Sequence, residues 1–145
     1  MKHTELQHRL RQLHKTFSRD PDIDALYLFG SYATGTPTPL SDLDFAVLFS
    51  PHVVEQEYFQ KRLQLITDLM SITRVDAVEL LVLNKAPLVV SYKAIAPHEI
   101  VIDNDSRRRI RFEVRVMQQY LDLRPFRRYH QQNLKERITS GEYFD

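Results

Sequence analysis

The sequence predicts a mixed α/β domain, a small mixed β-sheet flanked by helices. Three observations predict it. Short apolar runs of strand length recur at "ALYLFG" (25–30), "DLDFAVLF" (42–49) and "RVDAVELLVL" (74–83). Other stretches place apolar residues every three or four positions, the period of a helix face. Finally, 145 residues with 43% hydrophobic content suit one domain spanning 1–145, long enough to bury a sizeable core.

The elements follow in order. Residues 3–18 read as a helix, with Leu6, Leu10, Leu13 and Phe17 spaced by four, three and four; "RDPD" stops it. "ALYLFG" reads as a buried strand, followed by a short turn. In "DLDFAVLF", side chains alternate, so Leu43, Phe45 and Val47 share one face and Asp42 and Asp44 the other. Residues 53–71 suit a helix whose apolar side is Phe59, Leu63, Ile66 and Met70. The run 74–83 is β-branched and leucine-rich, as strands are. "APLVVSYKAIA" (86–96) reads as a helix with Pro87 in its first turn, where a missing N–H is harmless. "EIVID" (99–103) reads as a short edge strand. Residues 105–122 read as a helix with the stripe Ile110, Val114, Met117 and Leu121. Pro125 interrupts, and "FRRYHQQNLKERI" (126–138) reads as a last helix.

Composition narrows the function. No apolar run approaches the ~18 residues of a membrane span, so no membrane partner is expected. The N-terminus has no apolar signal segment. The absence of cysteine excludes disulfides and thiolate metal sites, and a cytoplasmic setting is expected. The net charge is +1 but uneven: residues 107–137 hold ten Lys/Arg against three acids, and residues 1–106 ten against fourteen. The basic segment, about 105–138, suggests an acidic or anionic partner; a solvated helix face is the alternative. Few aromatics lie there, which disfavours direct nucleic-acid binding. The histidines show no metal-ligand spacing and read as surface residues.

The chemistry concentrates in "GSYATGTPTPLSDLD" (30–44), which holds two of only three glycines, Gly30 and Gly35. Gly30 follows a buried strand and lacks a Cβ, so backbone there can approach a phosphate closely. Ser31 adds a hydroxyl and an N–H at the start of a short helix, where anions bind. Neither a P-loop nor a dinucleotide fingerprint is present. Asp42 and Asp44 would lie about 5–7 Å apart, and a divalent cation relieves their repulsion. Alone, they also fit two exposed acids on an edge strand. Asp76 is the candidate third acid, since an acid inside an apolar strand needs a partner or a metal; an ion pair with Arg74 is the alternative. Glu79 is the rival, but three residues along a strand places it on the opposite face.

Together these residues carry a resemblance. Gly30-Ser31, ten residues, then Asp42-Leu43-Asp44 resembles the signature of the nucleotidyltransferase superfamily typified by DNA polymerase β. Asp76 matches its third carboxylate. The chain is most similar to minimal nucleotidyltransferase (MNT) antitoxins of HEPN/MNT toxin–antitoxin modules. That resemblance implies the polymerase β-like fold, ATP as substrate, and two Mg²⁺ ions on Asp42, Asp44 and Asp76. It implies Gly30 and Ser31 as nucleotide-binding residues, and in-line attack on the α-phosphate with release of pyrophosphate. It further implies a Mg-dependent protein adenylyltransferase that moves AMP onto a tyrosine of a partner HEPN RNase toxin, in a hetero-oligomer. Two other readings stay open: a small-molecule nucleotidyltransferase of the aminoglycoside type, and a non-catalytic antitoxin acting by binding alone.

Overall fold

A computed structural model describes residues 2–35, 42–96 and 98–123. Its elements are α1 (His3–Phe17), β1 (Ile23–Phe29), α2 (Ser31–Thr34), β2 (Leu43–Phe49), α3 (Tyr58–Thr73), β3 (Val78–Val82), α4 (Leu88–Ile95), β4 (Glu99–Asp103) and α5 (Ser106–Asp122). A single 3₁₀ turn, Glu55–Glu57, leads into α3. This is the expected order. The helix expected at 126–138, Pro125, His130 and the end of the basic segment lie outside the described residues.

The strands form one four-stranded sheet in the order β3-β2-β1-β4. β1 pairs antiparallel with both β2 and β4, whereas β2 and β3 run parallel. Two layers of helix cover it. Leu6, Leu10, Leu13 and Phe17 of α1 pack with Leu65 and Leu69 of α3 on the face carrying Leu26, Leu28, Leu43, Phe45 and Val47. On the other face, Phe112 and Val116 of α5 and Ala94 and Ile95 of α4 meet Ala25, Tyr27, Ala46 and Leu48. The alternation along β1 and β2 therefore feeds two cores from one pair of central strands.

Polar side chains close the joints. Asn84 extends the β2–β3 ladder, accepting from Phe49 N–H at 2.8 Å and donating to Phe49 C=O at 3.0 Å. Buried Asp24 accepts from the Ser50 hydroxyl at 2.7 Å and from Arg108 Nη1 at 2.5 Å, which anchors the start of α5 to β1. Arg62 of α3 donates to the Leu80 carbonyl at 2.9 Å. The bonds from Leu43 N–H to Ala77 C=O and from Leu83 N–H to Val47 C=O set which β3 groups face β2. By that alternation the Leu80 carbonyl faces the outer edge.

Four expectations need correction. The third strand starts at Val78, four residues later than read. Arg74 ends α3 in the left-handed conformation at φ 58°, and the Thr73 hydroxyl accepts from Val75 N–H at 3.3 Å, so residues 74–77 are a helix exit. In α3 the core line is Leu65, Leu69 and Thr73; Phe59 and Leu63 are exposed. In α5 the core line is Phe112 and Val116, and Ile110, Val114, Met117 and Leu121 all face outward. His98 also departs from the surface reading: it is half-buried, and its ring meets Tyr27 edge-on at 5.1 Å.

Candidate active site

The antiparallel register sets Phe29 opposite Asp44, so the end of β1 and the start of β2 meet at one end of the sheet. Gly30 sits there at φ 75°, ψ −156°, a region essentially closed to residues with a side chain. A Cβ built on Gly30 would lie 2.3 Å from Asp44 Oδ2. The glycine is required twice, by its backbone angles and by the carboxylate against it. Ser31 follows as the first residue of α2. Gly35 closes α2 in the left-handed conformation at φ 77°, and a Cβ built there would meet no atom of the described residues within 4 Å.

Asp42 is exposed just before β2, and Asp44 is half-buried within it. Burial pushes the Asp44 carboxyl above its ordinary range, and the charges of Asp42 and Glu79 push it the same way. Glu79 stands beside Asp44 because β2 and β3 run parallel with Asp44 in register with Glu79. Neighbours in register point to the same face. Glu79 was expected on the face away from the aspartates and instead stands beside Asp44. Glu79 joins the aspartate pair; Asp76 lies exposed in the bend before the strand begins. Strand alternation does not relate Asp76 to Glu79, because the strand begins only at Val78. The signal for Glu79 was the strand register, which a single sequence does not display.

These acids and Gly30 share the sheet face that α4 and α5 cover, since Asp44 alternates with Leu43 and Phe45 of the opposite core. Among the described residues no group of three or more His, Cys, Asp or Glu side chains is gathered tightly enough to enclose a metal ion. Mg²⁺ does not require such a cage: it keeps waters and takes one or two carboxylates together with substrate phosphates. The hard carboxylate oxygens of Asp42 and Asp44, the latter repelled by its acidic neighbours, suit that ion.

The family of polymerase beta nucleotidyltransferases matches residues 11–107, a span from α1 to the start of α5 that contains every one of these site residues. The chain belongs to that family. Within it, the mixed sheet and its carboxylate-bearing end are the polymerase beta-like nucleotidyltransferase domain. No curated protein matches the sequence. Solved structures do. A chain of a toxin–antitoxin structure with AMP-PNP is 23% identical, with 93% of this chain and 99% of that one covered and a TM-score of 0.65. A chain from the complex of a tri-AMPylated Shewanella oneidensis HEPN toxin with MNT antitoxin is 23% identical, covering 89% and 98%, with a TM-score of 0.66. A chain of the toxin–antitoxin MntA-HepT is 22% identical, covering 89% and 98%, with a TM-score of 0.65. At these identities the likeness speaks for a shared fold. Among the described residues no helix is long and apolar enough to cross a membrane.

Proposed function

We propose that this chain transfers AMP from ATP to a tyrosine hydroxyl of a partner HEPN RNase toxin in the cytoplasm, and acts thereby as its antitoxin. The observation that carries the reading is the Asp44 carboxylate, repelled by Asp42 and Glu79 and seated against Gly30 at one end of the sheet. A transferase of nucleotides needs that combination of cation-seeking acids and close backbone. The acceptor is argued from likeness: similar chains occur in a toxin–antitoxin structure with AMP-PNP and in one with a tri-AMPylated HEPN toxin.

In the proposed reaction a bond forms between the tyrosine oxygen and the α-phosphorus of ATP. The bond from that phosphorus to the β-phosphate oxygen breaks, and pyrophosphate leaves. The phenolic proton passes to a carboxylate of the acid group. Gly30 and Ser31 border the phosphates, and the missing Cβ keeps Asp44 and the backbone in one small space. Asp42 and Asp44 would hold two Mg²⁺ ions, with Glu79 in place of Asp76 as the third acid. Bound there, the ions supply positive charge to the developing transition state.

The test is co-expression with a HEPN-domain toxin, sought first in the neighbouring reading frame, read by mass spectrometry as additions of about 329 Da, one AMP per transfer. Asp42→Asn and Asp44→Asn should each lower transfer by about 10²-fold or more while the protein stays folded. Full transfer by the double variant would overturn the catalytic reading. Glu79→Gln should be far more damaging than Asp76→Asn; the reverse order would return the third position to Asp76.

A further inference from the structure

Helix α5 is apolar on two opposite sides. Phe112 and Val116 are buried against the sheet, while Ile110, Val114, Met117 and Leu121 are 50%, 45%, 40% and 53% exposed. Their spacing of four, three and four aligns them in one outward stripe. A scattered exposed leucine needs no explanation, but four aligned large apolar residues on one helix do.

Charge narrows what covers the stripe. Arg107 and Arg111, both exposed, lie four residues apart along one border of it, and Arg115 continues the basic side with its guanidinium 5.7 Å from the Phe112 ring centre. Arg108, Arg111 and Arg115 also rim a shallow groove against Pro51. Glu113 is engaged by Arg109 Nη1 at 2.6 Å and does not neutralise that border. Two copies of α5 packed stripe to stripe would bring arginines together, which opposes self-association.

Position narrows it further. Arg108 is fixed at Asp24, near the sheet end opposite the acids. Glu113 then lies 3.6 Å from His98, next to Glu99, which pairs with Leu28. Tyr120 stacks on Tyr92 of α4, with ring centres 3.6 Å apart. The helix therefore runs toward the end that carries Gly30 and Asp44, on the face to which Asp44 and Glu79 belong.

We propose that the outer stripe of α5 is the docking surface for an amphipathic helix of the acceptor protein, one whose apolar face is flanked by acidic residues. Such a helix buries the stripe, meets the arginine border with opposite charge, and holds the acceptor beside the nucleotide end of the sheet. This rests on the reading of a protein acceptor given above.

The experiment uses the full chain, alone and with the HEPN-domain toxin that the co-expression test above identifies as its partner. Alone, light scattering should show a monomer, and hydroxyl-radical footprinting should oxidise Met117 readily. Protection of Met117 in the free monomer would put the chain's own residues 124–145 on the stripe and overturn the proposal. A dimer broken by Val114→Glu/Leu121→Glu would assign the stripe to a second copy and overturn it as well. With the partner, Met117 should become protected, and Val114→Glu/Leu121→Glu should weaken the complex by about 100-fold or more. Arg107→Glu/Arg111→Glu, which leaves the apolar residues in place, should weaken it about 10-fold and flatten its salt dependence. Undiminished binding by both double variants, with AMP transfer intact, would overturn the docking surface and leave the function standing. Stripe-dependent binding without AMP transfer would do the opposite.

Discussion

At residue scale the sharpest constraint is Gly30. Its φ of 75° and ψ of −156° admit little but glycine, at a cost of about 1–3 kcal/mol for another residue. The Asp44 carboxylate also occupies the space a Cβ would take. Gly30→Ala should therefore lower stability by about 1–3 kcal/mol in chemical denaturation and displace Asp44, abolishing AMP transfer. Gly35→Asn, in a left-handed position where a Cβ would meet no atom of the described residues within 4 Å, should leave both nearly unchanged. Equal damage at the two glycines would refute the distinction. The sequence placed Gly30, Asp42 and Asp44 in one short stretch by residue type and spacing, and the structure brings Gly30 and Asp44 together at one end of the sheet. The sequence did not show that Asp44 is the neighbour for which Gly30 makes room. Nor did it show that Glu79 stands in register with Asp44, since that depends on where β3 starts and how it registers with β2.

At the scale of elements, existence and order were legible, while helix rotation was not. In α1 one apolar line exists, and Leu6, Leu10, Leu13 and Phe17 all became core. In α3 and α5 two lines of helical spacing compete, and only packing against the sheet decides which is buried. The loop between α1 and β1 supplies a pH-dependent tie to α3. Asp22 bonds Lys61 Nζ at 2.7 Å and the His52 ring at 2.7 Å, and the Lys61 bond chiefly, with that of His52, holds the Asp22 carboxyl below its ordinary range. A lowered carboxylate pKa adds stability above the unfolded value near 3.8 and loses it as pH falls through the folded value. Asp22→Asn should thus lower stability at pH 6–7 by at most about 1 kcal/mol, the range of partly exposed pairs. The gap from wild type should close as acid denaturation is followed below the carboxylate range. A gap that persists in acid would mean Asp22 acts through packing instead.

Across the whole molecule, the proposed role of Asp44 and the stability of the fold pull in opposite directions. Burial opposes the Asp44 charge first, and Asp42 and Glu79 repel it, so Asp44→Asn should raise the melting temperature of metal-free protein. Adding Mg²⁺ should raise that of wild type by mass action and leave the variant almost unmoved. A metal-free variant that melts below wild type would show that the carboxylate is structurally needed. The basic segment was visible as an uneven charge distribution along the chain. Its described part proves to be a helix that uses Arg108 and Arg109 for internal pairs and turns Arg107, Arg111 and Arg115 outward.

The bond from Arg62 to the Leu80 carbonyl bears on how this protein stays apart from its neighbours in a crowded cell. A sheet with open ends invites a foreign strand to add itself, the first step toward aggregates. Here both outer strands are only five residues long, and the arginine of a neighbouring helix already occupies an acceptor on the β3 side. Strand-by-strand polymerisation is discouraged at that border, and recognition is left to the helices.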